Sequence, residues 1–410
     1  MINGLDPLEA IDLEELHVAK AADVRERIRT ALVGCGKVGH THARALSSLP
    51  GSEFTAVCDP MATRAADFGR QYGARPYTNL SEMLENERLG LVSVCTPHPS
   101  HADMIVQCAA RGVHTLVEKP LAPDLGGCDR AIAASRQAGV KLGVISQRRL
   151  YQPVVRMREA IDAGAIGTPV IALLTVLGWR DETYYRSDPW RGRWDSEGGG
   201  VMVNQTPHQL DLMQWMMGPI DELFGYWDNL NHPYVEVEDT ALAVIRFKSG
   251  AMGSVVLSNS QKPGLYGRLH IHGSNGASVG VQTEGGSPFI AGVTEAVEPP
   301  INDLWTVPGE EGLLAGWQSE DRAIASSHDV MTYYHERQIA DFLEAIVADR
   351  PPMVDGEEGR KVVEMITAIY RAQRDGRPVR FPLEAEVDRR DYDGRIGHAL
   401  LSHRTPGDAA

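Results

Sequence analysis

Two side chains of this 410-residue chain have the chemistry to act together on an alcohol, the amine of Lys119 and the imidazole of His208. Lys119 lies in Glu118-Lys119-Pro120 at the end of an apolar run, where the proline ring restricts the backbone and aims the lysine. A partly desolvated lysine there can hold the oxygen of an alcohol being oxidised. His208 follows Gly198-Gly199-Gly200-Val201-Met202-Val203-Asn204, and three glycines let the backbone approach a ligand closely. Imidazole titrates near working pH and so suits removal of a hydroxyl proton, with Asp211 as a neighbour able to orient it. Asn204 stands four residues before His208, so the two share a face if the stretch is helical; alternatively Pro207 opens a helix after a Thr206 cap, which loosens that geometry. Either way both line one pocket. Singly, a lysine is more often a surface ion-pair former and a histidine more often structural. The glycine run and the partner lysine are what single out His208 among the fourteen histidines.

Oxidation needs a hydride acceptor, and Gly34-Cys35-Gly36-Lys37-Val38-Gly39 supplies a place for one. The motif directly follows the apolar run Ile-Arg-Thr-Ala-Leu-Val and opens a helical stretch, the context a dinucleotide fingerprint requires. Gly34 permits the tight turn, Gly36 lets backbone approach a pyrophosphate, and Gly39 allows close helix packing, while the helix N-terminus offers free N–H groups to the anion. Asp59 ends the second strand, twenty residues after Gly39, where its carboxylate can accept hydrogen bonds from the adenosine ribose or, on the plainer alternative, cap a loop. The same charge repels a 2'-phosphate, so NAD is favoured over NADP, although Arg64 lies near enough to tolerate one. Cys95-Thr96-Pro97-His98-Pro99-Ser100-His101 ends the next apolar strand. Thr96, Pro97, His98, His101 and Glu118 thus sit at strand ends, where open parallel sheets bind ligands.

The elements that position these groups are legible as a rhythm. Short apolar runs (IRTALVG, EFTAVCD, LVSVCTP, VHTLVEKP, VKLGVIS) alternate with helical stretches near 40–49, 61–72, 100–111 and 124–138. That alternation predicts parallel strands with right-handed crossover helices, a doubly wound Rossmann sheet over residues 28–147. Residues 1–27 are an acidic arm ahead of it, read either as a solvated helix or as a segment wrapping a neighbouring subunit. Residues 148–410 form a second, α+β domain for substrate binding and oligomerisation: a helix at 153–163, the strand PVIALLTVLGW, a loop rich in Gly, Trp and Arg, a helix ending near Met217, and two-periodic strands joined by short turns. These strands suggest an open, mostly antiparallel sheet, with amphipathic helices near 332–348 and 355–374 closing the chain. No element is assigned over 282–327.

A formal net charge of -15 argues against nucleic acid as a partner, because phosphate neutralisation needs a basic face. No run approaches the roughly 20 apolar residues needed to span a bilayer, and the N-terminus has no signal-peptide core, so a cytoplasmic protein is expected. Cys35, Cys58, Cys95, Cys108 and Cys128 form no zinc-ligand spacing and read as reduced, packed thiols; no metal is expected.

Taken together, the G-x-G-x-x-G, Asp59, the T-P-x-x-x-H loop, the E-K-P and the G-G-G…N-x-x-x-H make the chain resemble the Gfo/Idh/MocA oxidoreductases over roughly residues 28–382. The resemblance implies that Lys119 and His208 meet at the substrate hydroxyl, His208 as base and Lys119 polarising the oxygen. It also implies homodimers or homotetramers formed through the open sheet. Many relatives carry Asp four residues before the histidine. Asn204 can still hydrogen-bond a hydroxyl but supplies no negative charge to an imidazolium. Pro189-Trp190-Arg191-Gly192 looks like a stretch that approaches the nicotinamide in some relatives, placing Trp190 and Arg191 on the cofactor side. Tyr184, Tyr185, Gln147 and Arg149 are pocket candidates by neighbourhood, and Tyr334 is a further one near the cofactor. The expected reaction is oxidation of a secondary ring hydroxyl of a small polyhydroxylated substrate, a sugar, glycoside or cyclitol. A dihydrodiol dehydrogenase and a non-catalytic NAD-binding regulator are the alternatives.

Overall fold

Strands that are buried on both faces have few residues to spare for polarity, and the first sheet is built from such strands. The computed structural model describes residues 27–265, 267–283 and 299–385, so the expected arm over 1–27 lies, except for its last residue, outside the described residues. β1 (Ile28–Val33), β2 (Ser52–Cys58), β3 (Arg75–Tyr77), β4 (Leu91–Val94), β5 (His114–Val117) and β6 (Leu142–Val144) form a six-stranded parallel sheet in the order β3-β2-β1-β4-β5-β6. Between them run α1 (Lys37–Ser48), α2 (Ala62–Tyr72), α3 (Leu80–Asn86), α4 (His101–Ala109) and α5 (Leu125–Ala138). Local chemistry sets their ends: the Asn79 and Asp124 side chains accept N–H bonds at the starts of α3 and α5, and Gly73 and Gly139 end α2 and α5 in the left-handed conformation. The strand order reverses between β1 and β4, the point at which such sheets open a crevice at their carboxyl ends.

After α6 (Gln152–Asp162) the chain builds a second sheet from β7 (Pro169–Leu177), β8 (Ile220–Asp228), β9 (Thr240–Phe247), β10 (Met252–Ser258), β11 (Gly267–Gly273), β12 (Ser278–Thr283), β13 (Ile301–Trp305) and β14 (Val379–Arg380). Its order is β13-β12-β11-β7-β10-β9-β8-β14, antiparallel throughout except for the β7–β10 pair. α7 (Glu182–Arg186) and α8 (Pro207–Met217) interrupt it, and α9 (Leu314–Ser327), α10 (Val330–Val347) and α11 (Gly356–Asp375) follow. β9 alternates strictly, with Ala241, Ala243, Ile245 and Phe247 buried against the helices and Leu242 and Val244 facing out. Within the unassigned stretch 282–327 the described residues hold β13 and α9. No helix among the described residues is long and apolar enough to cross a membrane.

The last helices return to the first sheet. α10 packs on α1, α11 on α5 and β8, and Gly143 of β6 lets α10 approach closely, since a Cβ there would stand 2.6 Å from the Phe342 ring. A buried ion pair locks this arrangement. Arg149 donates to both carboxylate oxygens of Asp211 on α8 and to Glu358 of α11, and its guanidinium lies 5.0 Å from the Trp215 ring centroid. The Ser146 hydroxyl at the end of β6 also donates to Asp211. Arg149, expected in the pocket, and Asp211, expected behind His208, are therefore bound to each other: a guanidinium fork satisfies a buried carboxylate better than a single imidazole does. Arg149 would keep Glu358 if Asp211 were removed, whereas removing the guanidinium leaves the buried Asp211 with only the Ser146 hydroxyl among these partners; Arg149→Ala is therefore expected to cost about 3–5 kcal/mol of unfolding free energy, read from urea denaturation.

Candidate active site

The glycine turn after β1 is shaped by contact. Gly34 sits at φ +96° with a would-be Cβ 2.5 Å from the Cys95 carbonyl oxygen, and a Cβ on Gly39 would lie 2.4 Å from the Gly34 carbonyl. A Cβ added to Gly36 would meet nothing within 4 Å beyond its chain neighbours, and α1 begins there without a side-chain cap or an acidic first turn. Uncapped N–H groups facing open space at a helix N-terminus fit a diphosphate. Lys37 and Val38 are partly buried in this first turn. Asp59, 5% exposed, accepts the N–H groups of Cys35 and Met61 at 2.9 Å each, so it caps the loop while keeping lone pairs for a further donor. Arg64 is exposed on α2.

A loop from the second half closes over this turn. Asp188 pairs with Lys37 at 3.0 Å and with Arg191 at 3.2 Å. The Arg191 guanidinium lies 4.5 Å from the Trp190 ring and 4.4 Å from the Tyr184 ring, and Trp190 meets His98 edge-on at 5.7 Å. His98 Nδ1 donates to the Glu197 carbonyl at 2.9 Å, and burial pushes its imidazole down to about 3. The His101 ring nitrogens face the carbonyls of Pro120 and Thr96, tying the β4 loop to the β5 turn; Pro97 is exposed, and the Thr96 hydroxyl accepts from Ser100.

Lys119, after β5, donates from Nζ to the backbone carbonyl of Asn204 at 2.9 Å. That carbonyl is available because Val201–Gln205 forms a π-helical turn and α8 starts only at Pro207. Asn204 and His208 thus do not lie on one regular helix face, and Thr206 bonds back to Val201 instead of capping. Burial lowers the Lys119 amine below its ordinary range, with Arg148 and Arg191 adding to the effect and Glu118 and Glu197 opposing it. His208 is 7% exposed; burial, then Arg148 and Lys119, hold its imidazole well below the usual histidine range. Its Nδ1 is buried without a hydrogen-bond partner among the described residues, so Nε2 is the nitrogen that meets accessible space. Beside them the Tyr184 hydroxyl accepts from Arg191, from Gln205 at 3.0 Å and from Asn204 at 3.2 Å.

Glu118 anchors the turn from behind. Its Oε1 faces His42 Nε2 of α1 at 3.0 Å and His335 Nε2 of α10 at 3.3 Å, and its Oε2 accepts the Lys119 N–H. His335 Nδ1 faces the Met331 carbonyl, which can only accept, so the ring donates there. Although burial works the other way, the His335 and His42 bonds hold the Glu118 carboxyl well below the usual range. The ligand atoms of these three groups lie within 4.8 Å of one another, close enough to take a metal ion, a cluster no short spacing in the sequence discloses.

Lys119, Asn204, His208, Tyr184, Trp190, Arg191 and His98 are thus gathered at the carboxyl edge of the parallel sheet. Tyr334 is not: it is 3% exposed with its ring 4.5 Å from Tyr151, and the following residue, His335, is the one aimed at the site. Gln147 is 1% exposed and its amide donates only to the Met331 sulfur. Sequence reasoning passed over His42, His335, Arg148 and Glu197, none of which stands in a motif; Glu197, directly ahead of the glycine run, offered the one usable hint. Gly36→Ala is expected to leave the melting temperature unchanged, since the added methyl meets nothing, and to weaken NADH binding by about tenfold or more by filling the anion cradle, measured by NADH fluorescence titration.

Residues 28–146 match the family model for the NAD-binding Rossmann fold of the GFO/IDH/MocA oxidoreductases, and residues 154–279 match a C-terminal domain model of the same family. A myo-inositol 2-dehydrogenase from Thermotoga maritima is 26% identical over 86% of this chain and 98% of its own length. The NAD(+)-dependent scyllo-inositol 2-dehydrogenase of Bacillus subtilis is 30% identical over 62% of this chain and 74% of its own. Among solved structures, the WlbA dehydrogenase from Bordetella pertussis in complex with NADH and UDP-GlcNAcA superposes with a TM-score of 0.77 at 28% identity, covering 88% of this chain and all of that one. The glycine turn, the two sheets and these matches make the chain a member of the GFO/IDH/MocA family, an NAD-binding dehydrogenase acting on CH–OH groups.

Proposed function

We propose that this chain oxidises a secondary ring hydroxyl of a sugar, glycoside or cyclitol to the ketone, with NAD as acceptor. The observation that carries the reading is the approach of Lys119, from the end of β5, to Asn204 and His208, from the turn and helix after the glycine run. In this mechanism His208 takes the hydroxyl proton at Nε2 while Lys119 holds the oxygen and stabilises the charge growing on it. The hydride leaves the same carbon, and bound NAD supplies its acceptor at the nicotinamide C4. Burial and the neighbouring cations keep His208 neutral, so it is ready to accept a proton. With no carboxylate behind Nδ1 it is a poor place to keep one, and the proton is passed on to solvent.

Tyr184, Asn204, Gln205 and Arg191 offer a hydroxyl, two amides and a guanidinium around one spot, flanked by the Trp190 ring. Such a mixture suits a polyhydroxylated ring, and the inositol dehydrogenases and the sugar-nucleotide complex among the relatives support the same class. With a panel of inositols, hexoses, glycosides and sugar acids, NADH should form with at least one compound. On that compound Lys119→Ala and His208→Ala should each lower kcat/KM by about 1000-fold while the proteins still bind NADH. Absence of NADH formation across the panel, and of NADH consumption with the matching ketones, overturns the reading.

We also propose that the chain forms a homodimer or homotetramer through the uncovered face of the second sheet. Ile171, Leu173, Tyr226, Leu242, Val244 and Met252 are 40–62% exposed on adjacent strands, with Ile171 opposite Met252 and Leu242 opposite Tyr226. A contiguous apolar face of this kind marks an interface. Light scattering after size exclusion should give a multiple of the chain mass for the wild type and a smaller species for Leu242→Glu/Val244→Glu.

A further inference from the structure

We propose that Glu197 is a positioning residue of this site, its carboxylate fixing the side-chain amide of Asn204 so that the amide oxygen, not the NH2, is presented to the substrate. The proposal rests on the dehydrogenase reading above and adds to it the origin of the acceptor that a hydroxyl finds beside Lys119.

Glu197 is 1% exposed and directly precedes the three glycines. Its Oε2 accepts the Gly192 N–H and its Oε1 accepts from Asn204 Nδ2. The same Nδ2 donates to the Tyr184 hydroxyl at 3.2 Å. With the NH2 group spent on these two oxygens, Oδ1 remains; it has no hydrogen-bond partner among the described residues and is not buried. An ionised carboxylate can only accept, so it selects one of the two orientations of a neighbouring amide. Asn204 also gives its backbone carbonyl to Lys119 Nζ. Through one residue, Glu197 therefore holds both the acceptor and the seat of the amine. The negative charge that an aspartate would carry at position 204 stands one side chain deeper.

Glu197 is faced by Lys119 from the end of β5, by Arg191 from the loop, by Tyr184 and Tyr185 of α7 and by Tyr370 of α11, while its own carbonyl meets His98. Burial pushes its carboxyl up to about 7, against the pull of the Gly192 N–H, Arg191, Asn204 and Lys119. Below that pH the group carries a proton and can donate to an amide oxygen, so both orientations of Asn204 become allowed. The ionised form is the productive one: kcat/KM rises as pH rises through about 7 and levels above it. Glu238, which also neighbours Tyr370, is raised to about 7 as well, so the limb is assigned by substitution.

The test is the pH profile of polyol oxidation for wild type, Glu197→Gln, Glu197→Asp, Asn204→Asp and the double variant Glu197→Gln/Asn204→Asp, with NADH affinity and melting temperature confirming that each is folded. Glu197→Gln is expected to lose the limb near neutrality and to raise KM by about tenfold above it, with kcat less affected; Glu197→Asp keeps the limb. Asn204→Asp alone sets two carboxylates against each other and is impaired at high pH. The double variant recovers most of the loss, because the new glutamine donates to the new aspartate. A limb and a KM that persist in Glu197→Gln, or a double variant no better than the worse single one, overturn the proposal. Infrared difference spectra give a readout without turnover: of the protonated carboxyl absorption that disappears near pH 7 in wild type, the Glu197 component is missing in Glu197→Gln while that of Glu238 remains. Absence of the Glu197 component from the wild type defeats the proposal on its own, whereas its presence in a protein that oxidises no polyol defeats only the functional reading.

Discussion

The site depends on seating a lysine amine where burial works against its charge. Burial pulls the Lys119 proton affinity down, with Glu118 opposing it, and the amine is held by a donated bond to a backbone carbonyl from a segment eighty-five residues away. That bond requires a carbonyl unclaimed by a regular helix, which the π-helical turn over Val201–Gln205 leaves exposed. It also requires a lysine that cannot wander. Glu118 supplies the second condition by accepting the Lys119 N–H while gripping His42 on α1 and His335 on α10. The return of α10 to pack on α1 is thus part of how the amine is aimed, not only of how the core is closed.

Three buried carboxyl groups surround this region, and they behave differently for one reason. Glu118 has two imidazoles as partners, and it stays ionised despite its burial. Glu238 accepts from Gly200, Met202 and Tyr370 yet is raised to about 7, because neutral donors do not repay the desolvation of a full charge. Glu197 lies between these cases. Its direct partners are neutral and its cations, Arg191 and Lys119, stand at one remove, so its carboxyl is raised too. A carboxyl poised in this way next to a substrate pocket has functional weight, whereas Glu238, bonded to the glycine-run backbone, braces the turn.

The parallel sheet was legible because its strands announce themselves as short apolar runs and because the glycine turn has stringent local requirements: Gly34 and Gly39 are glycines for reasons that a Cβ at either position makes plain. The strand alternation of β9 and the amphipathic stretches that became α10 and α11 were legible in the same way. β13 and α9 were not, since α9 buries only Asp321 among its residues and so carries no apolar stripe to read. In the site, Lys119 and His208 stood out through their neighbours in sequence. The fate of Arg149, Asp211 and Tyr334 could not be read, because each is decided by a partner at long range: a guanidinium fork on α8 and α11 for the first pair, the Tyr151 ring for the last. His42 and His335 are separated by 293 positions and meet only because two helices pack.

The overall charge of -15 says little about the place where chemistry occurs. On the reading proposed above, the reacting position lies near Lys119, Arg148 and Arg191, His208 is held neutral, Glu197 is raised toward neutrality, and Glu118 behind the turn supplies the opposing charge. On that reading cations outnumber ionised carboxylates around the substrate hydroxyl. That favours an alkoxide over an alcohol and lowers the work of removing the proton before the hydride departs. The same field explains why His208 has a depressed proton affinity without losing its use. In the proposed mechanism a base beside cations binds a proton weakly, while the same cations make the oxygen it serves more acidic. Placing an aspartate against His208 would strengthen the base and weaken that field together. The pairing of Asp211 with Arg149, away from the imidazole, keeps the two effects apart.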